Sequence, residues 1–243
     1  MCLVRTHRDP AALLGTWPSY HRTLDFALPT LHILASTSLT YANYNCSAHL
    51  TFPLFHPDYP ANTSAPTDAP RSILLSFKGK SYEDVQHHRT FFRHLDNQRD
   101  IIVQYTNSSA DADEYTRLLR HSSFCLVPSG RRLGSYRFLE SLQHGCIPVI
   151  TTEKNEPIVL PFSEIIDWSA SVIIYLNASI SLLPSHLRAI GPEQRHAMQM
   201  RCYQLWLTYF SSMQRIVSTA LDILHERFFP FSTQSNVRVP TIR

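Results

Sequence analysis

The sequence predicts an α/β domain built on a parallel sheet with helices on both sides. Short, wholly apolar runs recur after residue 71, as expected of strands that are buried on both faces. Stretches with helical spacing alternate with these runs, which is the pattern of parallel strands joined by crossover helices. With 243 residues and 44% hydrophobic composition, the chain can bury one large domain or one domain and part of a second. The prediction is a Rossmann-like domain of about 150 residues.

Each predicted element rests on its own run of residues. Strands are predicted at SILLSF (72–77), DIIVQY (100–105), SFCLVP (123–128), CIPVI (146–150) and the end of LPFSEIIDWSASVIIYL (160–176). Helices are predicted at VQHHRTFFRHLDN (85–97), ADEYTRLLRHS (112–122) and SYRFLESLQH (135–144), and a turn at KGK (78–80). The ending predicts one long helix from Gly191 to Phe229, because Pro192 suits a first turn and apolar positions between Leu205 and Leu224 share a stripe.

A composition change divides the chain. Residues 56–71 are rich in Pro, Ser, Thr and Asn and have hardly any apolar periodicity, which predicts an exposed linker. We therefore expect a first segment at 1–55, the linker at 56–71, the main domain at 72–228 and a tail at 229–243.

Charge and cysteine content exclude several classes of function. The formal net charge is +3, and the Lys and Arg residues are spread along the chain, so no nucleic-acid-binding patch is predicted. The five cysteines are widely spaced and form no metal-ligand pattern, so no metal site is expected. Cys125 and Cys146 lie inside strand-like runs and are interpreted as small buried hydrophobes. A disulfide between any two of the five stays open.

Four tripeptides match the acceptor pattern for N-glycosylation, which indicates a secretory history. They begin at Asn45, Asn62, Asn107 and Asn177. The sequence shows no apolar run of about 18 residues that would span a bilayer. Its first residues also lack the uninterrupted apolar core of a signal peptide. The sequons therefore indicate the secretory pathway, whereas no targeting signal for that pathway is recognised in the sequence.

The stretch FCLVPSGRRLGSYRFLESLQHGCIPVI (124–150) concentrates the chemistry. In a parallel sheet, ligands bind beyond the carboxyl ends of the strands, where helices begin. The predicted strand FCLVP runs directly into SGRRLGS, in which Gly130 and Gly134 allow a tight turn and a close approach to a ligand. Ser135 is the predicted N-cap of the next helix, whose first backbone N–H groups would face a phosphate.

Charged side chains complete this candidate site. Arg131, Arg132 and Arg137 carry permanent charge and forked donors that suit diphosphate oxygens. Glu140 lies three residues after Arg137 on the same helix face and could accept hydrogen bonds from ribose hydroxyls. The alternative is a solvated arginine pair, with Glu140 paired to Arg137 or His144 on the helix surface. The glycine spacing matches neither the dinucleotide fingerprint nor the P-loop.

The predicted turn after SILLSF supplies two further cations. Lys78 and Lys80 of FKGK occupy the equivalent position after the preceding strand. They are therefore candidates to approach the same crevice from its other side.

These residues also carry a resemblance. FCLVPSGRRLGSYRFLESLQHGCIPVI resembles the signature of the exostosin glycosyltransferases, which polymerise heparan sulfate in animals. The segments GTWPSY, DFALPTLHILASTSLTYANY, FPLFHPDYP, LLSFKGK, LPFSEIIDW and LWLTYFSSMQRIVSTALDIL resemble consecutive exostosin segments in the same order. The resemblance covers roughly residues 14–227. The intact GRRLGS-RFLE run is most similar to the branch whose first catalytic domain transfers glucuronic acid.

The resemblance implies a GT-B fold, in which two Rossmann-like domains face each other and the C-terminal one holds a UDP-sugar. Segment 1–55 would be a remnant of the N-terminal, acceptor-side domain, and 72–228 the UDP-sugar-binding domain. Reaction would invert the anomeric carbon with no metal and no tightly bound cofactor. Arg131, Arg132 and Arg137 would meet the diphosphate and Glu140 the ribose, while the FKGK loop would line the cleft.

Three departures from the family pattern bear on activity. The membrane anchor, stem and most of the N-terminal Rossmann domain are absent from this sequence, and an inverting enzyme needs a general base that we expect on that domain. Residues 81–111 are shorter than the family's loop and lack its cysteines, and Ser81 stands where an arginine is expected. The second transferase domain is also absent. Asp25 and Glu83 are acids near the expected cleft, but surface positions are the simpler interpretation, so the catalytic base stays unknown.

Two functions follow from the resemblance. The first is an inverting transferase that moves glucuronic acid from a UDP-sugar to a heparan sulfate-type glycosaminoglycan chain. The alternative is a catalytically inactive partner subunit or truncated fragment that forms a hetero-oligomer with another exostosin. Both imply the Golgi or ER lumen.

Overall fold

The computed structural model describes residues 34–47, 49–56, 66, 71–79, 90–106, 112–129, 133–152 and 158–229. The strands are β1 (Leu34–Ser36), β2 (His49–Thr51), β3 (Ile73–Gly79), β4 (Ile101–Tyr105), β5 (Ser122–Val127), β6 (Ile147–Thr152) and β7 (Ile173–Leu176). The α-helices are α1 (Ala112–His121), α2 (Tyr136–Gln143), α3 (Leu183–Ala189), α4 (Pro192–Leu205) and α5 (Met213–Phe228). Shorter helical pieces are a 3₁₀ helix at Thr90–Leu95, another at Asn177–Leu182 and a π-helical turn at Trp206–Phe210.

The main domain is a five-stranded sheet in the order β4-β3-β5-β6-β7. Every neighbouring pair is parallel. The central strands read as continuous apolar runs because both of their faces are covered, and all residues of β5 are buried. The predicted α/β class with a Rossmann-like parallel sheet is confirmed.

The core lies on both faces of this sheet. Its largest fully buried side chains include Phe77 of β3, Phe124 of β5 and Trp206 of the π-helical turn. A smaller apolar cluster lies apart from the main core and contains Leu119, Cys125 and Cys146, with Tyr115 packed against it. Cys125 and Cys146 are buried, as predicted, but they are also joined by a disulfide with their Cα atoms 5.7 Å apart. The interpretation of these two cysteines as small buried hydrophobes was therefore incomplete.

Arg71 connects the helices of the main domain to the sheet. Its Nη1 donates to the carbonyls of Leu119 and Ser122 at 3.1 and 2.7 Å, and its Nη2 donates to the carbonyl of His144 at 2.7 Å. These carbonyls lie at or just beyond the C-terminal ends of α1 and α2, where the last carbonyls of a helix lack partners within it. Burial lowers the pKa of Arg71 to about 10. One partly buried cation thus binds carbonyls at the ends of two crossover helices.

The predicted turn at KGK is wrong at its first two residues. β3 continues through Lys78 and Gly79, which lie opposite Gln104 and Tyr105 of β4. Pairing with a strand on each side extends β3 beyond the apolar run from which it was predicted. The helix predicted at 85–97 appears in the described residues only as the 3₁₀ helix at Thr90–Leu95.

The predicted long C-terminal helix is also wrong, because the chain forms two helices there. α4 ends at Leu205, and the π-helical turn follows it. Ser212 then takes an extended backbone conformation, and its hydroxyl accepts from the backbone N–H of Arg215 at 3.2 Å. A serine in this geometry is an N-cap, so α5 starts as a separate helix.

The first described segment, 34–56, packs against the main domain. β1 and β2 form a separate two-stranded parallel sheet. Backbone bonds join this segment to residues 158–162: Val159 donates to Leu39 at 2.8 Å and Phe162 donates to Thr51 at 3.1 Å. The predicted division into 1–55, 56–71, 72–228 and 229–243 stays a prediction, since most of the linker and the whole stretch 230–243 lie outside the described residues.

Candidate functional site

The strand order places a crevice between β3 and β5. β4 lies on one side of β3, and the chain then crosses back over β3 to form β5 on its other side. Connections leave the carboxyl ends of β3 and β5 in opposite directions at such a point, and ligands of open α/β sheets bind there. The two sequence segments predicted to share a crevice, one ending β3 and one following β5, therefore lie next to each other.

Arg137 lies across the carboxyl end of β3. It belongs to the first turn of α2, and its Nη2 donates to the carbonyl of Lys78. The guanidinium carbon is 4.5 Å from the ring centroid of Phe77 and 5.6 Å from that of Tyr115, so two aromatic faces hold the cation. Its Nε is buried and has no hydrogen-bond partner among the described residues. Arg137 is therefore held at the crevice by the carbonyl of Lys78 and by the rings of Phe77 and Tyr115.

Gly79 makes room for that guanidinium. A Cβ at position 79 would lie 2.6 Å from Nη2 of Arg137 and 3.1 Å from the ring of Phe77. Any side chain there would occupy the place of the cation.

Glu140 lies one turn beyond Arg137 on α2. Its Oε2 accepts a hydrogen bond from the hydroxyl of Tyr115, which belongs to the first turn of α1. Burial raises the pKa of Tyr115, and the Glu140 carboxylate adds to the effect, so this hydroxyl stays a donor. Glu140 is only partly buried, and no described residue donates to its Oε1. Tyr115 thus holds one oxygen of the carboxylate, and no donor among the described residues holds the other.

The start of α2 follows the prediction in position but not in every contact. Ser135 occupies the N-cap with extended backbone, but its side chain makes no capping hydrogen bond. Gly134 does allow a close approach, but the group that approaches it is another part of the chain and not a ligand. A Cβ at Gly134 would lie 2.6 Å from the carbonyl oxygen of Thr37 and 3.2 Å from Leu54. Segment 34–56 thus packs against the loop that follows β5.

Three of the predicted donor-site cations, Lys80, Arg131 and Arg132, lie outside the described residues, as do the acids Asp25 and Glu83. Lys78 is described and is buried in β3. Its charge reaches Glu114 of α1, whose pKa is lowered first by the hydrogen-bonded Arg117 and further by Lys78. The structure therefore places Arg137 against the backbone carbonyl of Lys78 and Glu140 one turn further along the same helix, with Ser135 at the start of that helix.

Sequence reasoning missed Tyr115, Phe77 and Gly79. Tyr115 lies three and four residues before the buried Leu118 and Leu119, a spacing that puts it on the inner face of α1. A tyrosine at the end of such a face places its hydroxyl at the edge of the core, where it can find a hydrogen-bond partner. Tyr115 could have been identified from this pattern.

Two of the predicted glycosylation sites are described. Asn45 is exposed in a turn, where its Oδ1 accepts from the backbone N–H of Ser47 at 2.9 Å. Asn177 begins a 3₁₀ helix and is partly buried. Asn62 and Asn107 lie outside the described residues.

The described ranges show neither a metal-binding cluster nor a membrane-spanning helix. These residues contain no group of three or more His, Cys, Asp and Glu side chains that could hold a metal ion. None of their helices has the length and apolar character needed to cross a membrane.

Solved structures with a related architecture share little sequence with this chain. A chain of the GtfA/B complex is similar over 74% of this chain and 40% of its own length, with 12% identity and a TM-score of 0.43. TarM is similar over 72% of this chain and 39% of its own length, with 10% identity and a TM-score of 0.41.

Curated relatives are much more similar in sequence. Exostosin-1b of Danio rerio is 34% identical, and Exostosin-1 of Bos taurus and of Mus musculus are each 32% identical. Each alignment covers 92% of this chain and 33% of the relative, so the chain spans about a third of the length of these relatives. The family model described as the Exostosin GT47 domain matches residues 11–190, well over half of the sequence. The chain therefore belongs to the Exostosin GT47 family.

Proposed function

We propose that this chain carries the donor-binding part of an inverting glycosyltransferase that takes glucuronic acid from a UDP-sugar and adds it to a heparan sulfate-type glycan. Membership in the Exostosin GT47 family supports the reaction class. The choice of sugar and acceptor follows the resemblance of the GRRLGS-RFLE run to the branch of the family that transfers glucuronic acid. We also propose the GT-B arrangement, with segment 34–56 as part of the acceptor-side domain.

One observation carries the proposal: Arg137 and Glu140 lie together beside the carboxyl ends of β3 and β5, where the strand order reverses. A UDP-sugar presents a diphosphate and a ribose a few ångströms apart, and it needs cationic donors for the first and hydrogen-bond acceptors for the second. One turn of α2 presents both kinds of group on one face, because residues three apart are neighbours on a helix.

The roles follow from this chemistry. Arg137 would stabilise the charge that develops on the diphosphate as UDP leaves. Its predicted partners in this role are Arg131, Arg132 and Lys80. Glu140 would accept from the ribose hydroxyls and so set the orientation of the nucleotide. No described residue is assigned as the base that removes the acceptor proton, so that step is left to groups facing the crevice from elsewhere.

Calorimetric titration with UDP tests the proposal. We expect the 243-residue chain to bind UDP, and Arg131→Ala, Arg137→Ala and Glu140→Ala each to weaken binding about tenfold or more, since a charged hydrogen bond contributes roughly 1.5–3 kcal/mol. Arg188→Ala is the control. Arg188 pairs with Asp100, which precedes β4 and therefore lies at the opposite end of the sheet.

Failure of the folded chain to bind UDP would overturn the proposal and favour an inactive partner subunit instead. If UDP binds, competition between UDP-glucuronic acid and UDP-N-acetylglucosamine tests the choice of sugar. Transfer of labelled glucuronic acid to a heparan-type oligosaccharide then tests the reaction.

We further propose that the chain matures in the lumen of the secretory pathway. Disulfides persist in oxidising compartments, and Cys125 is disulfide-bonded to Cys146 within the smaller apolar cluster. Asn45 lies exposed in a glycosylation sequon. Mass spectrometry of the chain secreted or retained by animal cells should find the Cys125–Cys146 cross-linked peptide and a glycan on Asn45. Reduced cysteines and a bare Asn45 would contradict this placement.

A further inference from the structure

We infer that Tyr115 is a positioning residue for the donor nucleotide: its hydroxyl holds Oε2 of Glu140 so that the other oxygen faces the ribose hydroxyls of a UDP-sugar. The inference rests on the proposed function and deepens it. Tyr115 touches no donor atom in this scheme, and it acts through Glu140.

The hydrogen bond joins two helices. Tyr115 lies on α1, which follows β4, whereas Glu140 lies on α2, which follows β5. Its ring packs against the cluster of Leu119, Cys125 and Cys146, so the apolar contacts fix the ring while the hydroxyl reaches the carboxylate. A carboxylate on a single helix turn could rotate freely, and this bond removes that freedom before any ligand arrives.

The Tyr115 side chain contacts both Arg137 and Glu140. Opposite charges three residues apart on a helix can pair with each other, which would remove both from ligand binding. Here the Arg137 guanidinium lies 5.6 Å from the centre of the Tyr115 ring and donates to the carbonyl of Lys78, while Glu140 accepts from the Tyr115 hydroxyl. Each charge therefore has its own hydrogen-bond partner, the carbonyl of Lys78 for Arg137 and the hydroxyl of Tyr115 for Glu140. Because burial raises the pKa of Tyr115, its hydroxyl remains protonated at physiological pH.

The ratio of the affinities for UDP and 2′-deoxy-UDP distinguishes the positioning role of Tyr115 from an effect on the stability of the fold. The full chain should bind UDP about tenfold more tightly than 2′-deoxy-UDP, because a hydroxyl donating to a carboxylate contributes at least that much. Glu140→Gln should reduce this ratio, and Tyr115→Phe should reduce it to about threefold or less. The double variant should show no reduction beyond that of Glu140→Gln, since the two residues act through one interaction. A merely structural tyrosine would change both affinities equally and leave the ratio alone.

Tyr175→Phe is the matched control. Tyr175 also has a hydrogen-bonded hydroxyl, 2.8 Å from Nδ1 of His186, but it lies on the edge strand β7. Its loss should leave the ratio unchanged.

Each outcome decides between the hypotheses. A parent chain that binds no UDP overturns the proposed function and this inference with it. A parent chain that binds UDP with an unchanged ratio in Tyr115→Phe overturns the inference alone. Circular dichroism tests the fold of the variant. Since Phe keeps the ring, a Tyr115→Phe chain that does not fold would show that the hydroxyl serves the fold and would also overturn the inference.

Discussion

Gly79 and Arg137 compete for one space: a Cβ on Gly79 would lie 2.6 Å from Nη2 of Arg137. Gly79→Ala should therefore displace the guanidinium and weaken UDP binding about tenfold. The free energy of unfolding should change by no more than about 1 kcal/mol, because a side-chain end can move and alanine reduces the entropy of the unfolded chain. Calorimetry and urea unfolding measure the two effects.

Gly191→Ala is the matched control for this variant, since a Cβ at Gly191 would meet nothing within 4 Å. It should leave UDP affinity unchanged. Equal affinities of the parent chain and Gly79→Ala would show that the position of Arg137 does not matter for the nucleotide.

Arg71→Lys should lower the free energy of unfolding by about 2 kcal/mol or more. The guanidinium of Arg71 donates to three carbonyls, and an ammonium group cannot reach all of them from one position, so buried acceptors would lose their partners. Urea unfolding measures the loss. Arg99→Lys, at an exposed position, should change the value by less than about 0.5 kcal/mol. Comparable effects of both substitutions would contradict the role given to Arg71.

Glu164→Ala should release segment 34–56 from the main domain. Oε1 of Glu164 accepts from the Tyr44 hydroxyl and the Thr51 backbone N–H, each at 2.9 Å, and Oε2 accepts from the Thr51 hydroxyl at 2.8 Å. We expect a loss of about 3 kcal/mol, since bonds to a carboxylate are the stronger kind. Faster cleavage within 34–56 under limited proteolysis should accompany it.

The control for this prediction is Glu226→Ala, which removes an exposed carboxylate from α5. Glu164→Gln should cost less than Glu164→Ala, because the amide oxygen can still accept two of the three bonds. Cleavage patterns identical to those of the parent chain would indicate that other contacts hold the segment.

Stability should fall as the pH drops from about 7.5 to about 5.5. Burial lowers the pKa of His49 and of His144; Arg227 adds to the first shift, and Arg120 and Arg71 add to the second. In the unfolded chain, histidine has a pKa of about 6.5, so below that pH the unfolded chain binds more protons than the folded one. The free energy of unfolding therefore decreases as the pH falls below about 6.5. The carboxylates with lowered pKa values act only at more acidic pH.

Urea unfolding at both pH values tests this sign. His144→Gln should reduce the difference between the two free energies, because one of the two histidines is gone. An equal or larger difference in the variant would show that His144 is not responsible.

Local sequence patterns were sufficient for the individual elements. The apolar runs of β4, β5 and β6 and the helical spacing of α1 and α2 reflect the two backbone periods, so they could be predicted to within a few residues. The end of α2 is also encoded locally, because Gly145, which follows it, has φ of 60°, a conformation that favours glycine. The exceptions were ends that depend on neighbours, namely the extension of β3 through Gly79 and the start of α5 at Ser212.

The candidate site was only partly predictable. Sequence alone identified Arg137 and Glu140 as chemically suited to a nucleotide, because their residue types and spacing determine charge and helix face. It did not show that Arg137 donates to the carbonyl of Lys78 or that Tyr115 holds Glu140. These partners are 59 and 25 positions apart in the chain, and nothing in a local period encodes which distant groups will meet.

The sequence by itself thus determined the class of fold, the order of strands β3 to β7 and of helices α1 and α2 along the chain, and the chemical character of the loop after β5. Only the tertiary structure decided the order β4-β3-β5-β6-β7, the crevice between β3 and β5, and the disulfide between Cys125 and Cys146. The physical reason is that periodicity and residue type act over a few neighbouring residues, whereas the site is assembled by strand pairing between segments that are far apart in the chain.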